Sequence, residues 1–220
     1  MTRKTTLKSI FTAAFIATLT AAVSITIPAA FIDTNAAGTP VRHELPDCDH
    51  EYEGKMYEEV YDYIEDVFED SFDKADVGVP VAIVVDEDQS NPDDIVIKGD
   101  FQYYNFNLNG DTLETKSFGS QPGAIHLRKE KDGDYEVIKM EKVEDGSEFE
   151  STAKKIFGDK YDAFLEAQSG ETRDSFRNQI LANYVEENGL SIEKVKDYGQ
   201  DAVTLPEANT EDFSSLVNNK

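Results

Sequence analysis

The dipeptide Asn109-Gly110 separates two runs of alternating apolar and polar residues, the first ending at Leu108 and the second opening at Thr112-Leu113. A tight type I′ turn needs positive φ at both central residues, and Asn-Gly meets that need at little steric cost. The pair therefore predicts a β-hairpin and organises the stretch from Asp94 to Met140. Centring the turn on Asn109-Gly110 sets Leu108 against Asp111, Phe106 against Leu113 and Tyr104 against Thr115. The other face then pairs Tyr103 with Lys116 and Phe101 with Phe118.

The first of these strands changes parity. Ile95, Ile97, Phe101 and Tyr103 are apolar at odd positions, whereas Tyr104, Phe106 and Leu108 are apolar at even ones. Successive strand side chains point to opposite faces, so a straight strand cannot hold both sets on one side. Either a bulge lies between Gly99 and Tyr104, or the strand leaves one core and enters another. A bulge would bend the strand and raise its twist, and the expectation is a long, sharply bent strand in a curved sheet.

Flanking segments complete an α+β reading. Met56, Tyr57, Val60, Tyr61, Ile64, Val67, Phe68 and Phe72 recur at three- and four-residue steps, with Glu58, Glu59, Asp62, Glu65, Asp66, Glu69 and Asp70 between them. This is an amphipathic helix of about five turns with an acidic outer face. Asp76 to Pro80 is read as its end, Val81 to Val85 as a strand, and Asp86 to Asp94 as an acidic turn. Gly119 to Gly123 is read as a connection to a second hairpin, Ala124–Arg128 with Tyr135–Met140, about Asp132-Gly133. Its apolar face is expected to be Ile125, Leu127, Ile138 and Met140, with His126, Arg128 and Lys139 solvated. Ser147 with Glu150 has capping-box spacing. A last long helix runs from Glu171 to Asn188 with Gly189 as its C-cap, and Ser191 to Tyr198 suggests one more short helix.

The chain ends look different from its middle. Basic Met1 to Lys8, an uncharged apolar run from Ser9 to Ile32 and small residues about Ala36 follow the order of a secretory signal. A retained membrane anchor is the alternative, since the run is long enough to span a bilayer. The expected division is a signal over 1–36, a linker over 37–51, one α+β domain over 52–198 and a polar tail over 199–220. Secretion with no membrane attachment after cleavage follows from the signal. The net charge of −24 repels nucleic acid and anionic lipid alike. With a single cysteine no internal disulfide can form, so the core alone must hold a secreted chain of this kind together.

A long helix followed by a bent antiparallel sheet, roughly Tyr52 to Val143, resembles the NTF2-like/cystatin-like superfamily of cone-shaped α+β folds. That resemblance implies a curved sheet closed by helices around a pocket; the helices after Ser147 depart from it, because that fold normally ends on a strand. Gly119-Ser-Gln-Pro-Gly-Ala-Ile-His-Leu127, Val143-Glu-Asp-Gly-Ser147 and Phe157-Gly-Asp-Lys-Tyr-Asp-Ala-Phe164 are similar to segments of uncharacterised secreted proteins of Gram-positive bacteria. The likeness implies location and fold and carries no activity.

Few residues offer chemistry. His43, Cys48 and His50 bring imidazole and thiolate together at a spacing one loop can use for zinc or copper, in a stretch with little apolar content to fold around. Asp86 to Asp94 fails the EF-hand pattern at its sixth and twelfth positions, Asn91 and Ile97. Phe101, Tyr103, Tyr104, Phe106 and Phe118 are either core or the lining of an apolar cavity with tyrosine hydroxyls as its polar handles. No G-x-S-x-G elbow, phosphate loop or dinucleotide fingerprint is present, so no cofactor is expected. The leading expectation is a secreted, acidic, non-enzymatic module that binds a small apolar ligand or a protein partner, its oligomeric state left open. Two alternatives stand beside it: a pocket enzyme of the ketosteroid-isomerase kind using Tyr104 or Asp100, and a metal-capturing N-terminal segment on a structural domain.

Overall fold

A computed structural model of the chain describes residues 45–48 and 54–209. The signal-like start therefore lies outside the described residues, as do His43 and His50. The order is helix α1 (Lys55–Phe68), strands β1 (Val77–Asp88), β2 (Ile95–Asn109), β3 (Thr112–Lys129) and β4 (Tyr135–Lys142), helices α2 (Phe149–Phe157), α3 (Tyr161–Ala167) and α4 (Gly170–Glu187), then β5 (Lys194–Lys196) and β6 (Val203–Thr204). The architecture is α+β with a curled, mainly antiparallel sheet. Strands β1 to β4 form the meander, β5 lies parallel to β3, and β6 pairs antiparallel with β5. No helix among the described residues is long and apolar enough to cross a membrane.

The parity switch in β2 has its second explanation. Register with β3 runs unbroken from Ile95 to Asn105, with no bulge between Gly99 and Tyr104. Ile95, Ile97, Phe101 and Tyr103 face one core, built with Tyr57, Val60, Tyr61 and Ile64 of α1. Tyr104 and Phe106 face another, built with Phe157, Phe164, Ile180, Leu181 and Tyr184 of the later helices. One strand thus serves two helical layers on opposite faces of the sheet. The irregularities fall elsewhere: Val85 in β1, Lys116 in β3 and Ile138 in β4 are each the extra residue where register shifts.

The observed register corrects several expectations. Leu108 pairs with Leu113, Phe106 with Thr115, Tyr104 with Phe118, Tyr103 with Gly119 and Phe101 with Gln121. The turn is Gly110-Asp111, between paired Asn109 and Thr112, and the Asp111 carbonyl accepts from the N–H groups of Glu193 and Lys194. Ile138, the bulged residue, is exposed and Val137 takes its place opposite Leu127. His126 is buried, its Nδ1 2.6 Å from Asp94 Oδ1. Gly119 to Gly123 is continuous strand, tolerating Pro122 because that position's missing N–H would face outward from β3.

Helix α1 is about four turns long, shorter than its apolar pattern. A 3-10 turn at Glu69–Ser71 ends it and Phe72 is extended. The Phe68 ring stacks on Phe72 and on Tyr103, each with centroids 6.3 Å apart. Both phenyl rings sit on Gly119, where a Cβ would strike them. Ser147 caps nothing: Gly146–Glu148 is a 3-10 turn and α2 starts after Glu148 without a side-chain cap. Ser191 to Tyr198 holds strand β5 instead of a helix, its Val195 buried against the helical core.

Candidate functional site

Helix α4 begins cleanly, with Ser169 Oγ accepting from the Thr172 N–H at 3.2 Å. Its inward face runs Arg173, Arg177, Ile180, Leu181 and Tyr184, so the first two of its helical steps place guanidinium groups where apolar side chains are usual. What accommodates them is the strand opposite. Asp100 and Gln102 project from the helical face of β2, both fully buried.

Both carboxylate oxygens of Asp100 accept hydrogen bonds. Oδ1 accepts from Ser120 Oγ at 2.6 Å; Oδ2 accepts from Gln102 Nε2 at 2.7 Å and from Arg173 Nε at 2.9 Å, with Arg173 Nη2 at 2.8 Å. Gln102 Oε1 in turn accepts from the Tyr104 hydroxyl at 2.8 Å. Burial pushes that hydroxyl well above the ordinary phenol range, against the lowering by Arg177 and Arg173. Arg177 extends the network through Asp197 at 2.9 Å, while Thr115 Oγ1 donates to the same carboxylate at 2.6 Å. Cation and ring alternate above it: Arg173 lies 5.7 Å from the Phe118 centroid and Arg177 5.3 Å from that of Tyr104.

This arrangement fixes α4 to the sheet and leaves little for proton transfer. Asp100 is bonded to Ser120, Gln102 and Arg173 on three different elements, which is the pattern of a structural carboxylate. The Tyr104 hydroxyl is likewise committed to Gln102.

The sequence-predicted aromatics divide between faces. Phe101 and Tyr103 lie on the α1 side; Tyr104, Phe106 and Phe118 lie on the other. Phe101 and Phe106 are fully buried core. Tyr103 reaches over Gly78 and borders a cleft of about 350 Å³ that Leu45, Asp47, Phe72, Asp76 and Asn105 also line. Phe118 is 40 % exposed, its inner side 4.6 Å from the Tyr104 ring centroid. Cys48 is half-buried against the helical core, close to the point where the Tyr184 hydroxyl donates to the Pro46 carbonyl at 2.8 Å. Among the described residues no group of three or more His, Cys, Asp or Glu side chains is placed to hold a metal.

Beside Phe118 no strand among the described residues pairs with the outer side of β3. Strand β4 covers β3 from Gly123 to Lys129 and β5 covers it from Thr112 to Glu114, which leaves residues 115–122 between them. The Pro122 carbonyl points outward there and accepts from the Val143 N–H at 2.9 Å. In an antiparallel strand the two backbone groups of a residue point the same way and alternate along the chain. Ser120 and Phe118 therefore turn their N–H and C=O groups to the same open side, where no described strand pairs with them. Sequence reasoning missed this gap because it depends on where two distant strands stop. No protein-family model matches the chain, and neither a curated protein nor a solved structure is significantly similar to it.

Proposed function

We propose that this chain is a secreted, non-enzymatic module that binds a protein partner, taken up as an extended strand along the open stretch of β3. The observation that carries the reading is the outward-facing backbone of Phe118 and Ser120, between β4 and β5. An unpaired edge is a template for strand addition, and main-chain hydrogen bonds supply affinity while alternate side chains supply specificity. Phe118 offers the side-chain contact, half-exposed and held in place by Tyr104 and Arg173. A net charge of −24 favours a cationic partner and speeds its encounter. A small apolar ligand fits less well, since the aromatics that would line its pocket lie on opposite faces and two of them are fully buried.

The cystatin-like resemblance enters as part of the same proposal. Helix α1 packed on a curled antiparallel sheet supports it; the second helical layer and β5–β6 are additions to that pattern. Secretion rests on the signal-like start of the sequence.

The test is a titration of the full chain with an alternating Lys-Val octapeptide, with an alternating Glu-Val octapeptide as control, followed by amide NMR. The cationic peptide is expected to shift and protect the amides of Phe118 and Ser120, and Phe118→Asp to weaken it at least tenfold. If those two amides stay unperturbed with both peptides, strand addition at β3 is wrong.

A further inference from the structure

The chain beyond β5 is held in an unusual way. Strand β6 pairs with β5 through Val203 opposite Val195 and Thr204 opposite Lys194, and the Leu205 N–H donates to the Glu193 carbonyl at 2.9 Å. The chain then crosses α4, where two carboxamide side chains one turn apart grip its backbone. Gln179 Nε2 donates to the Glu207 carbonyl at 3.0 Å. Asn183 closes on both backbone groups of Asn209, donating through Nδ2 to its carbonyl at 3.0 Å and accepting its N–H through Oδ1 at 2.7 Å. Gln179 also donates to Asn183 Oδ1 at 3.1 Å, which fixes the orientation of the pair.

Asn183 is fully buried, yet the segment it holds is not. Between Val203 and Asn209 only Leu205 is even half-buried. The bonds that Gln179 and Asn183 make to Glu207 and Asn209 are to main chain. A buried amide left without its partners is costly, so a site of this kind favours having an extended backbone in it. Next to the segment runs a groove of about 600 Å³ lined by Val185, Glu186, Ile192, Glu193, Leu205 and Glu207. Three carboxylates border it, one of them on the occupying segment itself. The segment thus adds a carboxylate to a groove that Glu186 and Glu193 already make negative.

We infer that the face of α4 carrying Gln179 and Asn183, together with the groove beside it, is a binding site for an extended basic peptide, and that residues 203–209 cover that face in cis as a displaceable pseudo-ligand. The ligand is a partner segment with an aliphatic residue in place of Leu205 and a lysine or arginine in place of Glu207. Its backbone takes over the Gln179 and Asn183 contacts, and its cation faces Glu186 and Glu193. The cis segment competes at the high effective concentration that its tether provides, so the site is gated by how firmly that segment is held. This inference stands apart from the β3 edge.

The probe is the heptapeptide of residues 203–209 with lysine in place of Glu207, titrated into the full chain. Hydrogen exchange at the Leu205 and Asn209 amides reports release of the cis segment. Leu205→Asp loosens that segment and is expected to tighten peptide binding at least tenfold, whereas adding Gln179→Ala should reverse the gain. Should Leu205→Asp fold poorly, Val203→Asp at an exposed position of the same segment replaces it. Phe118→Asp should leave peptide binding unchanged, which separates this site from the β3 edge. No binding at millimolar peptide to the loosened chain, or affinity indifferent to both the loosening and the Gln179 substitution, overturns the inference.

Discussion

Arg173 directs Nε and Nη2 to one carboxylate oxygen of Asp100, at 2.9 and 2.8 Å, joining the first turns of α4 to the middle of β2. The carboxylate is fully buried and the guanidinium is 24 % exposed. The strength of such a pair lies in what is left when half of it is removed. Arg173→Ala strands a buried charge, and a loss of about 3 kcal/mol is expected, the low end for buried pairs because water reaches the arginine. Replacing both, Asp100→Leu with Arg173→Met, should recover most of that loss. Urea unfolding of Asp100→Leu, Arg173→Met and the double variant measures the coupling, and Arg173→Ala is compared with the double variant; equal losses in those two would show that the pair is not what holds α4.

Two glycines should respond unequally to one methyl group. A Cβ at Gly123 meets the backbone carbonyl of Glu141, and one at Gly78 meets the hydroxyl end of the Tyr103 side chain. At Gly123 strand β3 is paired on both sides and cannot retreat, so the β4 backbone must move, whereas a tyrosine tip can tilt. Gly123→Ala is therefore expected to be the more destabilising, with backbone shifts in β4, and Gly78→Ala to be eased by Tyr103→Leu. Thermal melts of the three variants decide it.

Much of this was legible in residue order. Alternation placed β2 and its parity switch, and helical spacing found α1 and α4, including Gly189 just past the end of α4 at φ 59°. What the switch meant was not legible. A bulge and a change of core produce the same pattern in one strand, and only the later helices, packing on the even face, distinguish them. The polar network was hidden for a related reason. Asp100 and Gln102 look like solvent-facing residues of a half-buried strand, and Ser120 and Arg173, which satisfy them, lie on other elements. Register failed at Lys116 and Ile138, because extra residues in a strand leave no mark in composition.

Alkaline pH should unfold the chain through its tyrosines. Burial raises the Tyr104 and Tyr184 hydroxyls well above their ordinary value of 10.0. Above about pH 10 the unfolded chain releases these protons while the folded chain keeps them, so stability is full below that point and falls as pH rises. Absorbance at 295 nm should show part of the tyrosine signal appearing only with loss of the fold. In Tyr104→Phe the decline in stability above pH 10 should be shallower.

The two faces of the sheet should behave as separate cores. Ile64 belongs to the α1 layer and Ile180 to the α4 layer, with the sheet between them. Each Ile→Val change is expected to remove about 0.5–1.5 kcal/mol. Their double variant should equal the sum to within about 0.5 kcal/mol, measured by chemical denaturation. A larger discrepancy would mean that strain passes through β2 from one layer to the other.

Strand β3 belongs to β5 near its start and to β4 near its end, and carries an interruption between. Whatever fills that interruption completes a seam from the hairpin tip to the far corner of the sheet. Its effect would then be felt beyond its own footprint, as stiffening of two strands that do not pair with each other.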